Sequence, residues 1–316
     1  MRHGFRVLPL LLLALACTVA GADVPSEEGF VDADGVRLYW HSYGEGPPLL
    51  VLNGGPGVSS THFATLARTL AEETGPRRVI LFDQRGTGRS ELDDGSARTI
   101  SLEAMVADIE ALRKALGYAR WPVMGHSWGG MYAMLYATRH PGQVEALVLS
   151  ASGGATMEWS RTVGANIRHR LGPERRASYE YWIDPANAAA DPDRANRARI
   201  EAMAPAYVFD PANIPFVVEA LTRPGANFPA VRTLVYQDLR RTGYDLRDAL
   251  AELETPALIL SGRQDFLGQR VPLSLEAAIP NASLVWLEQC AHYPWLDAPA
   301  PYFSAIDGFL EGRVRG

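Results

Sequence analysis

PVMGHSWGGMYAM, residues 122–134, is the stretch that decides the fold. It begins as a short apolar run, passes through Gly-His-Ser-Trp-Gly and continues with a helical pattern. A serine in a tight turn between a strand and a helix has its hydroxyl held above the end of the strand, and side chains two positions away on either side would collide with neighbouring backbone. Gly125 and Gly129 leave that room, so the stretch predicts a reactive Ser127 rather than a buried serine in a plain glycine-rich turn.

Strand and helix patterns alternate on both sides of this stretch. Residues 101–116 have an amphipathic helix pattern, with Ser101 as the predicted N-cap and Gly117 as the stop. GVRLYWHSYG at 35–44 alternates like an edge strand. Apolar strand patterns occupy 47–52, 77–82, 121–126, 144–152, 255–262 and 282–288, and the last helix is predicted over about 298–310. This alternation predicts an α/β fold, with a mostly parallel central sheet and helices on both faces.

The segment 153–253 breaks the alternation. It has no strand of comparable apolar density and instead carries Arg- and Ala-rich helical stretches, aromatic residues and repeated prolines. The alternation resumes at residue 254, so the segment is predicted to be a helical cap inserted into one sheet. The predicted organisation is a signal peptide at 1–22, a core domain at 23–152 and 254–316, and the cap at 153–253.

Composition disfavours one class of partner. The chain has 316 residues, of which 47% are hydrophobic, and this suffices for a sizeable core. Its formal net charge is -6, and no run of Lys and Arg interleaved with aromatic residues occurs. A basic surface that follows a phosphate backbone is therefore not expected, and neither is nucleic acid as a partner.

The N-terminus has the pattern of a secretory signal peptide. Basic residues precede the apolar run VLPLLLLALA, and Ala20 and Ala22 stand at the -3 and -1 positions of a cut after Ala22. The run is shorter than the roughly 20 residues of a membrane span, which disfavours a retained anchor. Lipidation at Cys17 is disfavoured because ALAC lacks the usual leucine three residues before the cysteine. We expect a secreted or periplasmic protein with no membrane span after cleavage, in which Cys290 is the remaining cysteine.

A serine nucleophile needs a base and an acid that orients the base. On a sheet of this kind they follow the nucleophile in the order acid, then histidine, each on a loop after a strand. Asp265 lies just beyond the predicted strand ALILSG, and His292 lies just beyond SLVWLE. The loop after VEALVLS offers no carboxylate. We therefore predict a triad of Ser127, Asp265 and His292, which requires neither a metal nor a cofactor.

The charge that develops on the substrate's carbonyl oxygen needs two backbone N–H donors. The amide of Trp128 directly follows the nucleophile at the start of a helix, where the helix dipole favours negative charge. The second donor is expected from the loop NGGPG, and by position it is Gly55. A plain glycine-rich turn and a phosphate-binding loop are the alternatives for NGGPG, but neither explains why it accompanies a nucleophile turn in the same sheet.

Five motifs together resemble the prolyl aminopeptidases, also called proline iminopeptidases, of the α/β-hydrolase superfamily. They are LNGGPG, VILFDQRGTGRS, GHSWGG, LSGRQD and AHYPWLD, in this order, within the sheet domain at 30–152 and 254–312. The resemblance implies the same triad and oxyanion donors, and it implies that Asp83 and Arg85 brace the loops around the site. Asn53 stands where the family usually has histidine, and an asparagine there can still hydrogen-bond to the loop backbone.

The resemblance also implies a carboxylate in the cap that binds an amine. Members of the family bind the substrate's free ammonium through cap glutamates, and RARIEAMAPAYVFD at 197–210 begins like the segment that carries one of them before it diverges. Glu201 is the residue at that position. A surface ion pair with a neighbouring arginine is the alternative interpretation of Glu201.

These observations predict a secreted serine hydrolase that releases N-terminal proline, or a similar residue, from short peptides through an acyl-enzyme. An esterase or amidase that acts on small uncharged substrates with the same triad is the alternative. A non-catalytic binding protein on this fold is disfavoured by the intact Ser, Asp and His. The expected partner is a small peptide or ester substrate, and the sequence predicts no oligomeric state.

Overall fold

The computed structural model of the chain describes residues 25–92 and 99–314. The predicted signal peptide, with Cys17 and the cleavage position after Ala22, lies outside the described residues. Within the described ranges, no helix has both the length and the apolar character that a bilayer span requires.

The strands of the described chain form one mixed sheet. They are β1 (Glu27–Ala33), β2 (Val36–Tyr43), β3 (Pro48–Leu52), β4 (Arg78–Phe82), β5 (Glu91–Leu92), β6 (Trp121–His126), β7 (Val144–Ser150), β8 (Ala257–Gly262) and β9 (Ala282–Leu287). Across the sheet the order is β1-β2-β4-β3-β6-β7-β8-β9, and the short β5 pairs with β2. All neighbours from β4 to β9 along this order pair in parallel, whereas β1 and β5 pair with β2 antiparallel and β2 pairs with β4 antiparallel. The predicted mostly parallel sheet is confirmed.

The prediction that 35–44 is an edge strand is wrong. β2 lies between β1 and β4, and it is buried at every position except Arg37. The outermost strand on this side of the sheet is instead β1, EEGFVDA, which carries three exposed acidic residues and gives little strand signal of its own. Charged side chains suit an edge strand because they discourage its unpaired backbone groups from pairing with another chain.

Helices cover the sheet and fill the segment between β7 and β8. They are α1 (Ala64–Glu73), α2 (Leu102–Ala115), α3 (Trp128–Arg139), α4 (Ser160–Arg170), α5 (Pro173–Ile183), α6 (Pro185–Ala190), α7 (Pro192–Tyr207), α8 (Ile214–Thr222), α9 (Pro229–Thr242), α10 (Arg247–Ala251), α11 (Arg270–Ala278), α12 (Pro294–Asp297) and α13 (Pro299–Val314). The predicted limits of α2 are confirmed. The Ser101 side chain accepts a hydrogen bond from Ala104 N at 3.2 Å, and Gly117 follows the helix with φ +76°.

Two apolar layers hold the sheet from its two faces. Alternate residues of β3 show the division, because Leu50 and Leu52 pack with α2 and α3 while Leu49 and Val51 pack with α1 and α13. All four leucine and valine side chains are almost fully buried. Each such side chain stabilises the fold by about 1.5–3 kcal/mol. The central strands therefore form a rigid base, and the loops at their carboxyl ends are held in fixed relative positions.

Helices α4 to α10 lie between two strands that are neighbours in the sheet. β7 and β8 pair in parallel, with Ser150 opposite Leu260, although about a hundred residues separate them in the chain. The intervening segment returns to the sheet at its carboxyl edge: the backbone N–H of His292 donates to the carbonyl of Tyr207, the last residue of α7, at 2.9 Å. This contact joins the inserted helices directly to the loop that carries the predicted histidine.

Candidate active site

Ser127 occupies a strained turn between β6 and α3. Its φ of 55° and ψ of -118° lie where side chains are rarely tolerated. A Cβ on Gly125 would lie 2.1 Å from the carbonyl oxygen of Gly129, and a Cβ on Gly129 would lie 2.0 Å from that of Leu52. Neither position can therefore hold any residue except glycine, and the reason given above for the glycines is confirmed.

The structure brings Ser127, His292 and Asp265 into one hydrogen-bonded chain. Ser127 Oγ lies 2.9 Å from His292 Nε2, and His292 Nδ1 lies 2.9 Å and 3.1 Å from the two carboxylate oxygens of Asp265. The side chains of His292 and Asp265 are each only 3% exposed. Because a carboxylate only accepts, the proton on the ring is placed on Nδ1, which leaves the lone pair of Nε2 directed at the serine hydroxyl.

Backbone contacts hold the acid and the histidine in place. Asp265 follows β8, and its Oδ1 also accepts from Leu267 N at 2.8 Å. His292 lies on the loop after β9, where Ala291 N donates to Asp297 Oδ2 at 2.9 Å. The same Asp297 carboxylate accepts from Phe209 N at 2.7 Å, so it ties the histidine loop to the chain just after α7. Asp297 belongs to the motif AHYPWLD, but its bonding could not be read from that motif, because one of its partners lies 88 residues away in the chain.

The loop that follows β3 lies directly over the serine. A Cβ on Gly54 would lie 3.1 Å from the Cβ of Ser127, which shows how closely the two backbones approach. Gly55 has φ +71°, and Asn53 Nδ2 donates to the carbonyls of Gly54 at 3.1 Å and Val58 at 2.9 Å. The expectation that Asn53 supports this loop is therefore confirmed.

Both predicted N–H donors line the same cavity as Ser127. Gly55 lies on the loop above the serine, and Trp128 is the first residue of α3, so its amide has no acceptor within the helix. The Trp128 indole donates to Gln84 Oε1 at 3.3 Å, which couples the helix start to the motif DQRGTGRS.

The expected bracing role of Asp83 and Arg85 is confirmed. Asp83 is buried and accepts from Ser60 N at 2.7 Å, from Ser60 Oγ at 2.8 Å and from Arg89 N at 2.8 Å. Arg85 forms a buried, two-pronged ion pair with Asp108, with N–O distances of 2.6 Å and 2.7 Å. Removal of either partner would leave a buried charge uncompensated, so these residues fix the loops rather than meet the substrate.

The cavity above Ser127 has a volume of about 350 Å³ and lies between the sheet and the inserted helices. Its wall is mainly apolar and aromatic, with Trp159, Ile167, Met203, Tyr207 and Phe266 among the contributors. Arg199 and Arg232 are also on the wall, whereas no Asp or Glu of the described chain is. The cavity suits a small substrate, and its charged lining is cationic.

The structure does not bring Glu201 to this cavity. Its side chain is 48% exposed and forms an ion pair with Arg197 at 3.0 Å. On a helix, residues four apart share a face, so Arg199, Met203 and Tyr207 line the cavity from one face of α7 while 197 and 201 share another. The position of Glu201 is that of a surface ion-pair partner.

Two further histidines on the cavity wall were not singled out from the sequence. His62 and His126 are buried, and burial lowers the pKa of His62 to about 4 and that of His126 well below 6.5. The ring of His126 lies 4.9 Å from that of His292 between centroids. Both rings are therefore neutral near pH 7 and pack as aromatic surfaces around the reacting atoms.

Stability is expected to fall as the pH drops below about 6.5. Burial also lowers the pKa of His41 to about 4, so the unfolded chain takes up protons at His41 and His62 that the folded chain does not. The free energy of unfolding begins to fall near pH 6.5, the pKa of these histidines in the unfolded chain, and continues to fall to about pH 4. At pH 5 it amounts to about 2 kcal/mol in the free energy of unfolding for each of the two histidines.

Urea unfolding at pH 7.5 and at pH 5 checks this expectation. His41→Gln keeps a donor for Ser60 Oγ, which His41 Nε2 meets at 2.9 Å, and it should flatten the pH dependence by about one proton. The exposed His169→Gln serves as the control and should keep the wild-type slope. Equal free energies of unfolding of the wild type at the two pH values would contradict the expectation.

Comparison with known proteins supports the same fold and shows the family to which the chain belongs. Residues 47–299 match the α/β-hydrolase fold family. The proline iminopeptidase of Lactobacillus delbrueckii subsp. lactis is 31% identical over 276 residues, which covers 83% of this chain and 90% of the relative. The proline iminopeptidase of Lactobacillus helveticus is 28% identical over 303 residues, covering 90% of this chain and 97% of the relative. The crystal structure of the Mycobacterium smegmatis proline iminopeptidase superposes with a TM-score of 0.69 at 25% identity, covering 91% of this chain and 98% of that one. The chain therefore belongs to the α/β-hydrolase fold family, and within it the chain is a serine hydrolase that resembles the proline iminopeptidases.

Proposed function

We propose that the chain hydrolyses short peptides through a Ser127–His292–Asp265 triad and releases an N-terminal proline or a similar residue. The observation that carries the chemistry is the hydrogen-bonded chain from Ser127 Oγ through His292 to Asp265, with distances of 2.9 Å on both sides of the ring. A hydroxyl in contact with an imidazole whose other nitrogen meets a carboxylate is the arrangement that activates serine for acyl transfer.

The first half-reaction forms an acyl-enzyme. Ser127 Oγ attacks the substrate carbonyl carbon while His292 Nε2 takes the hydroxyl proton, and Asp265 stabilises the resulting imidazolium. The oxygen of the tetrahedral intermediate carries a negative charge, which the amides of Trp128 and Gly55 stabilise. The intermediate collapses, the bond to the leaving group breaks, and His292 returns the proton to the departing amine.

The second half-reaction regenerates the serine. Water gives a proton to His292 Nε2 and attacks the acyl carbon, and the same two amides stabilise the second intermediate. Its collapse breaks the ester bond to Ser127 Oγ, which recovers the proton from His292. The products are the acid and the free serine.

The relatives and the cavity together support the choice of substrate. Curated relatives that align with most of this chain are named proline iminopeptidases. A cavity of about 350 Å³ with a mostly apolar wall suits a small substrate that carries an apolar ring. An N-terminal prolyl group fits both facts.

A second candidate, an esterase or amidase for small uncharged acyl groups, is favoured by one specific observation. No carboxylate of the described chain lines the cavity, and Glu201 faces solvent with Arg197 as its partner. A free ammonium inside a partly buried cavity is expected to need such a carboxylate, because desolvation of an unpaired charge is costly.

A comparison of three substrates separates the two candidates. Under the proposal, kcat/KM for proline β-naphthylamide exceeds that for its N-acetylated form by at least about tenfold, which corresponds to about 1.4 kcal/mol of recognition of the free amine. A short-chain nitrophenyl ester reports the triad alone and is cleaved under either proposal. Equal rates on the free and the acetylated amide would overturn the aminopeptidase proposal in favour of the esterase or amidase.

We also propose that the chain is exported to the periplasm or beyond after cleavage behind Ala22. The proposal rests on the basic, apolar and small-residue order of residues 1–22. N-terminal sequencing of the exported chain should begin at Asp23. Recovery of the chain with residues 1–22 intact would contradict the proposal.

A further inference from the structure

Two arginines reach the cavity above Ser127 from different helices. Arg199 lies on α7 and Arg232 on α9, and both are only partly exposed. They contribute to the same wall as Tyr207 and Tyr236. Arg199 and Arg232 therefore come from separate helices to line one small cavity. In this they differ from arginines on the outer surface of the inserted helices, such as Arg197.

Neither arginine has an acidic partner within the described chain. Arg199 Nη2 donates to the neutral amide oxygen of Asn196 at 3.1 Å. Arg232 lies in no ion pair among the residues that the structure describes, and no carboxylate of these residues lines the cavity. By contrast, the buried Arg85 is paired with Asp108 at 2.6 Å. The cavity therefore holds two cationic groups without an internal counter-charge.

The two charges act on each other. Burial lowers the pKa of Arg232, and the positive charge of Arg199 lowers it further. Two like charges in a partly buried place repel more strongly than in water, so a bound anion would stabilise both. Guanidinium groups bind a carboxylate through paired N–H donors, which is stronger and more specific than the contact of a single neutral donor.

The arginines line the same cavity as Ser127 and His292. Burial raises the pKa of the Tyr207 hydroxyl to about 12, and the positive charges of Arg199 and Arg232 act on it in the opposite direction. The ring of Tyr207 lies 5.6 Å from the ring of His292 between centroids. An anionic group held by the arginines therefore lies in the cavity that Ser127 and His292 also line.

We propose that Arg199 and Arg232 bind a carboxylate of the substrate, which in a short peptide is its C-terminal carboxylate. The inference rests on the proposed function only in that Ser127 is the nucleophile of this cavity. It deepens that function because it predicts a preference for dipeptides with a free C-terminus over amidated ones. In a monoester of a dicarboxylic acid the free carboxylate lies on the acyl side of the scissile bond, and the same pair favours that carboxylate if the pair faces the acyl side rather than the leaving-group side.

Two matched substrate pairs test the proposal. The peptide pair is prolyl-alanine and prolyl-alaninamide, and the ester pair is the mono-4-nitrophenyl ester of glutaric acid and 4-nitrophenyl valerate. Wild type is expected to show at least about tenfold higher kcat/KM for the carboxylate member of one or both pairs. Arg232→Gln should reduce that ratio to within about twofold, whereas Arg232→Lys should keep part of it because the charge remains.

Arg197→Gln is the matched control, since Arg197 lies on the same helix but pairs with Glu201 at the surface. It should retain the wild-type preference. A second measurement needs no variant: glutarate should inhibit valerate ester hydrolysis by wild type competitively, and propionamide should not.

The possible failures are distinct. The carboxylate proposal is overturned if wild type shows no carboxylate preference in either pair. It is also overturned if Arg232→Gln melts like wild type and keeps the wild-type preference. If wild type cleaves neither peptide but prefers the ester that carries a carboxylate, the peptidase function is overturned and the arginine site is supported. Hydrolysis that persists in Ser127→Ala overturns the nucleophile on which both proposals rest.

Discussion

Ser127→Ala should lower kcat on every substrate of this protein by at least about a thousandfold. The substitution removes only the oxygen that lies 2.9 Å from His292 Nε2. Alanine also has a Cβ, so it adds no strain to that already present at φ 55°. The variant should therefore melt within a few degrees of wild type and still bind substrate. Steady-state kinetics on an amide and on an ester, together with a thermal melt, measure both effects.

Labelling gives an independent readout of the same atom. A fluorophosphonate should modify wild type stoichiometrically and leave Ser127→Ala unlabelled, because only an activated serine attacks the phosphorus. Ser283→Ala, at an exposed position of β9, is the matched control and should label fully. If Ser127→Ala kept more than about a tenth of the activity, another group would have to be the nucleophile.

The nucleophile turn could be predicted from the sequence because its requirements are local. Gly125, Ser127 and Gly129 are neighbours in the chain, and the collisions that demand glycine involve the turn itself and the adjacent strand. The approach of Asp265 and His292 to Ser127 could also be predicted. Parallel strands end at the same edge of a sheet, so residues just beyond β6, β8 and β9 are brought together whatever lies between them.

The inserted helices could not be predicted in this way. Their helical character is visible in the sequence, but the face that each helix turns to the cavity depends on how it packs. Glu201 is two residues from Arg199, yet the helical repeat puts them on different faces of α7, and only Arg199 reaches the cavity. The bond of Asp297 to Phe209 also joins residues 88 positions apart in the sequence, where no local pattern predicts it.

Asp265→Asn should lower kcat by about ten-thousandfold while it changes KM little. Oδ1 of the native side chain accepts from Leu267 N at 2.8 Å, and an asparagine keeps that bond through its own carbonyl oxygen. Its amide nitrogen then replaces Oδ2, which lies 2.9 Å from His292 Nδ1. An amide N–H can only donate, so Nδ1 must accept and the ring proton moves to Nε2. With a proton on Nε2, His292 points a donor at Ser127 and cannot take the serine's proton.

This result can be separated from a general loss of structure. Asp245→Asn is the control, because Asp245 is exposed and pairs with Arg247 at 2.5 Å, and its kcat should stay within about twofold of wild type. Asp265→Asn should keep the wild-type melting temperature to within a few degrees, because the bond to Leu267 and the packing of the side chain persist. A wild-type rate in Asp265→Asn would mean that another group orients the imidazole. An equal loss of kcat in Asp245→Asn would show that removal of a carboxylate outside the triad has the same effect, and the loss could then not be assigned to the tautomer of His292.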